Sequence, residues 1–135
     1  AVITTQLLAS LSPAVELVSD GKAVAVVVIT PEAMAWEAPK TERRRRGPQD
    51  PIADAKYAAS ELIEHIEKMS GAKLDILAVG DELAGRVPIY LDQAANAGLD
   101  EMTRKVSTDE AAFTLKVDGN GIAIRGLSHQ GTLFG

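Results

Sequence analysis

Between Asp50 and Gly71 the apolar residues fall at Ala55, Ala58, Ala59, Leu62, Ile63, Ile66 and Met69. These spacings trace one stripe along an α-helix of about 20 residues, roughly 30 Å long. Asp50 can accept from the free first-turn N–H groups, and Pro51 suits the first helical position. Gly71 can take the left-handed conformation that closes a helix. Glu64 and Lys68 stand four residues apart, as a favourable pair on the outer face.

A different pattern runs from Lys22 to Thr30, KAVAVVVIT, with β-branched residues at Val24, Val26, Val27, Val28 and Ile29. Its near-continuous apolarity predicts a strand covered on both faces. With the short apolar run at 14–18 and a turn at Ser19-Asp20-Gly21, it predicts a hairpin of 14–18 with 22–30. Lys73–Val79 and Val87–Leu91 read as two further strands, and Pro88 suggests that the latter lies at a sheet edge or at a strand start. A short helix is expected near Asp100–Lys105. From Glu110 to Arg125, Ala111, Phe113, Leu115 and Val117 alternate with more polar positions, and the Asp118-Gly119-Asn120-Gly121 turn predicts a hairpin. Phe113 and Phe134 are expected to be buried. Ser128 can cap a final helix that runs to the end of the chain.

Pro31 ends the first long strand, and residues 31–50 show no sustained period. They predict a long surface loop. Two features of it are candidate contact points. Arg43, Arg44, Arg45 and Arg46 could meet phosphate, nucleic acid or an acidic partner; the plainer reading is a solvated charge run balanced by Glu32, Glu37 and Glu42. Trp36, the only tryptophan, could stack on a sugar ring, pin its own loop to the domain, or meet a neighbouring domain.

The order is thus β-β-α-β-β-β-β-α. The expected fold class is α+β: a mixed sheet with two helices packed on one face. The length of 135 residues fits a single domain. A net charge of −5 argues against general affinity for nucleic acid or an anionic membrane. The absence of cysteine excludes disulfides, thiolate metal sites and cysteine nucleophiles. No phosphate-binding loop, dinucleotide fingerprint, HExxH or GxSxG occurs, and His65 and His129 have no paired ligand spacing. The sequence therefore offers no catalytic, cofactor-binding or metal-ligating set.

Three blocks carry a resemblance: DAKYAASELIEHIEKMSGAKLDI, VPIYLDQA, and DEAAFTLKVDGNGIAIRGLSHQGTLFG. Together they resemble the non-catalytic α+β domain that precedes the catalytic barrel in β-N-acetylhexosaminidases and α-glucuronidases. The likeness covers roughly 14–30 and 51–135, and Ile122–Gly135 is its most specific part. It implies an accessory domain cut from a larger multidomain glycoside hydrolase, secreted or periplasmic, with its last helix continuing past Gly135. It places the catalytic acids in a downstream barrel and makes that barrel the expected partner. The alternatives are a protein-interaction module using the Arg43–Arg46 loop and a carbohydrate-binding module. The 31–50 segment departs from the family pattern in length and basicity. Gly126, Gly131 and Gly135 are expected to permit close approach of the second helix to the sheet.

Overall fold

The structure, a computed structural model, describes residues 15–37, 51–95 and 98–135, without the side chains of 51–54, 100, 129, 130 and 133. Asp50, the proposed cap of the long helix, lies outside the described residues, as does the 38–50 stretch.

In chain order the elements are β1 (Val18–Ser19), β2 (Lys22–Ala23), β3 (Ala25–Ile29), α1 (Pro31–Ala35), α2 (Pro51–Ser70), β4 (Asp75–Ala78) and β5 (Val87–Leu91). A 3₁₀ turn at Asp92–Ala94 follows, then α3 (Gly98–Arg104), β6 (Phe113–Asp118), β7 (Gly121–Gly126) and α4 (His129–Phe134). Five strands make one mixed sheet in the order β4-β3-β5-β7-β6. The fold is α+β, as the pattern implies.

The pairing differs from expectation in two places. The 14–18/22–30 hairpin shrinks to β1 and β2, two residues each, turning at Asp20 and Gly21 with φ of 51° and 73°. β3 leaves that hairpin and takes an interior place in the sheet, parallel to β4 on one side and to β5 on the other. A strand apolar on both faces needs neighbours on both edges and cover on both sides. All five β3 residues are accordingly at most 2% exposed.

The second concerns β5, which pairs with β3 and with β7, so of the two positions that Pro88 suggested the strand start is the one found and the edge is not. Pro88 is tolerated there for a local reason. The Val87 N–H points toward β3, donating to the Val24 carbonyl at 2.9 Å, so the Pro88 nitrogen faces β7. Pairing with β7 begins only at Ile89↔Ile122. No ladder bond is lost.

α2 lies along one face. Ala55, Ala59 and Ile66 bury against Ala25, Val27 and Ile29 of β3 and against Ile89, Leu91 and Ile124. Most of the predicted stripe is inside, but Met69, in the last turn of the helix, is exposed. Gly71 ends the helix at φ 75°, and its N–H donates to the Glu67 carbonyl at 2.7 Å.

α4 packs on the same face as α2, with Ser128 Oγ accepting from the Gly131 N–H at 3.2 Å. Its approach is as close as the glycines suggest. A Cβ on Gly126 would stand 2.2 Å from the Thr132 nitrogen, and one on Gly131 2.5 Å from the Ala112 carbonyl oxygen. A Cβ on Gly135 would stand 2.5 Å from Ile124 Cγ2. The Thr132 hydroxyl accepts from the Gly126 N–H at 2.9 Å and donates to the buried Asp92 carboxylate at 3.0 Å. Asp92, at φ 51°, thereby ties the end of β5 to α4.

α3 sits on the opposite face. Thr114 and Phe113 are sequential residues on a strand, so they face opposite sides. The Thr114 hydroxyl meets the Leu99 carbonyl at 3.3 Å and hydrogen-bonds the Thr103 hydroxyl.

Two corrections concern chain segments outside the sheet. Pro31 opens α1 rather than a loop: Thr30 Oγ1 accepts from the Ala33 N–H at 3.2 Å, and Pro31 takes the first helical position. Phe113 and Phe134, expected inside, are 41% and 58% exposed.

Candidate interaction surface

β6 and β7 form the predicted hairpin, with Leu115 opposite Ile124 and Val117 opposite Ile122. Directly opposed residues share a face. Phe113, Leu115 and Val117 therefore lie on the face that carries α2 and α4. β7 is covered there, since Ile124 is 8% exposed. β6 is not: Leu115 is 53% exposed and Val117 38%.

This apolar row continues toward the helices. The position of a Gly135 Cβ would be 2.8 Å from the Phe113 ring, so the last turn of α4 rests at one end of the row. Beyond it, an open cleft of about 430 Å³ is lined by residues of α4 and α2. Leu62, Leu91, Ile124 and Phe134 form much of its apolar lining, and Tyr57, Glu61 and His65 also line it from α2. Tyr57 is 54% exposed.

α4 runs down the sheet antiparallel to β7. Its Gly131 packs at Gly126, and Gly135 packs at Ile124, two residues earlier on β7. The line of the helix therefore points across Ile122 toward Leu115 and Val117.

The polar groups of the cleft are modestly organised. The Glu61 carboxylate raises the pKa of the Tyr57 hydroxyl, first by its charge and then by a hydrogen bond. The His65 Nδ1–H donates to the Glu61 carbonyl at 2.8 Å, and Nδ1 lies 4.0 Å from the Glu61 carboxylate. Among the described residues the cleft lining holds one carboxylate, Glu61. A facing pair, as glycoside hydrolysis requires, is not assembled in it. Further along α2, Lys68 lies 2.5 Å from Glu64. It lowers the Glu64 carboxyl pKa by its hydrogen bond and then its charge, and its own ammonium is raised in return.

Trp36 is placed elsewhere. It follows α1, is half-buried, and does not line the cleft. Its carbonyl and that of Met34 accept from Lys56 Nζ at 2.5 and 3.2 Å, which straps α1 to α2. Both bonds use main-chain oxygens, so they place the segment without assigning a role to the indole. Arg43, Arg44, Arg45 and Arg46 lie outside the described residues. Among the described residues no group of three His, Cys, Asp or Glu could hold a metal ion, and no helix is long and apolar enough to cross a membrane.

Sequence reasoning missed Phe113, Leu115, Val117 and Phe134 as surface residues. The alternation along β6 did signal that one of its faces is apolar. What covers that face is a question of tertiary structure that alternation does not address. No protein family, curated protein or solved structure matches the chain.

Proposed function

We propose that this chain is a non-catalytic accessory domain of a glycoside hydrolase, which packs through the α2–α4–β6 face against a downstream catalytic barrel. One observation carries the reading: a continuous apolar row, Phe113–Leu115–Val117, stands uncovered in the line of α4. A strand that alternates this regularly is built to bury one face. Burying three half-exposed side chains of this size is worth on the order of 2–4 kcal/mol. That gain suits an interface between domains of one polypeptide, where no association entropy opposes contact. The hydrolase assignment rests on the resemblance of the helix block and the Ile122–Gly135 block to the domain that precedes the barrel in β-N-acetylhexosaminidases and α-glucuronidases.

The experiment is an intact mass of the protein isolated from its source, followed by assay of the full-length protein on chromogenic N-acetylhexosaminides and glucuronides. The expected result is a polypeptide longer than this chain by a barrel, about 250 residues, with glycosidase activity. A native chain that ends near Gly135 contradicts the accessory role. A long chain inactive on both glycoside classes contradicts the hydrolase assignment.

A further inference from the structure

The sheet face opposite α2 and α4 holds a second feature, independent of the reading above. Tyr90, Ala123 and Lys116 occupy one row across β5, β7 and β6. Ala123 is the small member of the row. It leaves a hollow of about 350 Å³ between the Tyr90 ring and the β6–β7 turn. Gly121 deepens the floor. It holds φ 125°, and a Cβ there would stand 2.3 Å from the Pro88 carbonyl oxygen, so no side chain can fill the space from that position.

The polar groups converge from one side. Lys116 Nζ lies 3.4 Å from Asp118 Oδ2, which leaves this pair neutral overall. Asp118 Oδ1 accepts from the Asn120 N–H at 2.8 Å, fixing the carboxylate against the turn. Lys116, Asp118 and Asn120 all line the hollow. The site thus combines a half-buried aromatic ring, a donor, a charged acceptor and an amide that does both. Its charge balance disfavours an anion, because the one lysine is already compensated. An aromatic surface beside mixed donors and acceptors suits a neutral ligand with an apolar face and a rim of hydroxyls.

We propose that this hollow binds a neutral pyranose, its C–H face against Tyr90 and its hydroxyls toward Lys116, Asp118 and Asn120.

The test is an amide NMR titration of the chain with methyl β-D-glucopyranoside and N-acetylglucosamine, with inorganic phosphate run in parallel. Saturable shifts centred on Gly119–Ala123 are expected for at least one sugar, with a Kd of about 1 mM, the range of a small, shallow site. Asn120→Ala removes the side-chain amide but keeps the backbone N–H that Asp118 accepts. Ala123→Val fills the floor without touching a polar group. Each is expected to weaken binding at least about tenfold, which is 1.4 kcal/mol. An unchanged amide spectrum away from the site confirms that either variant is folded. The proposal is overturned if neither sugar gives a saturable shift, if both variants bind as the parent does, or if phosphate alone produces the shifts.

Discussion

β3 and β6 are both strands rich in large apolar residues, and the fold treats them in opposite ways. β3, AVVVI, is closed off on every side, at most 2% exposed. β6, FTLKVD, lies at the sheet edge with Phe113, Leu115 and Val117 open. The difference lies in the pattern. Continuous apolarity in β3 requires two covered faces, which parallel neighbours and α2 help to supply. Alternation in β6 requires one covered face, and α4 stops short of it. Apolarity in a sequence records what must be covered in the whole molecule, and on β6 that demand exceeds what the described residues provide. An edge strand left in this state invites a partner.

This contrast can be broken by substitution, and the largest effect belongs to the closed centre. Ile89→Ala, at a side chain 1% exposed beside β3, should lower stability by about 2–5 kcal/mol, measured by chemical denaturation. Leu115→Ala on β6 should lower it by less than about 1 kcal/mol in the same assay, because a half-exposed side chain leaves no cavity. Equal losses at the two positions would mean that β6 is already covered.

A smaller effect is expected where α4 meets the sheet. Gly126→Ala puts a Cβ into the Thr132 backbone and should cost about 1–3 kcal/mol. Thr132→Val removes the hydroxyl that joins Gly126 to Asp92 and should cost a similar amount, about 1–3 kcal/mol. Both variants should raise amide exchange in α4 before they raise it in β3, since α4 is the element they release. Uniform acceleration across the sheet would contradict a separately docked helix.

The smallest effect is electrostatic. The Glu64–Lys68 pair is exposed and adds little to stability. The sign is nonetheless determined. Glu64 is held below the ordinary carboxylate value, so its support of α2 is complete above that value and is lost as pH falls through the lowered one. Lys68 is raised, so its part is complete below the ordinary ammonium value and is lost as pH rises through the raised one. Lys68→Met should return Glu64 to the ordinary carboxylate value, read by carboxyl NMR, with no measurable change in the unfolding midpoint.

Much of the fold was legible because its signals are local. The α2 stripe, the β6–β7 turn, the Ser128 cap and the close approach at Gly126 all depend on residues a few positions apart, whereas Gly131 and Gly135 meet Ala112, Ile124 and Phe113 from farther along the chain. Strand order was not legible. β4 and β5 follow one another in sequence yet flank β3, and no local residue encodes that exchange. Pro88 fits a strand start or an edge, and choosing between them depends on where β7 begins, which no local residue records. Phe113 and Phe134 were read as buried because aromatic residues on an alternating strand and a helix usually are. Their exposure became visible only when α4 was seen to end beside them. The hollow at Tyr90 was hidden for the same reason, since its row joins three strands.

The central claim is that the Phe113–Leu115–Val117 row is an interface left open in this chain. The most direct measurement is hydrogen exchange at the β6 amides, in this chain and in the full-length protein isolated from its source. The account predicts slower exchange over 113–118 in the full-length protein, with β3 unchanged because it is already closed. Identical exchange over β6 in both would contradict it.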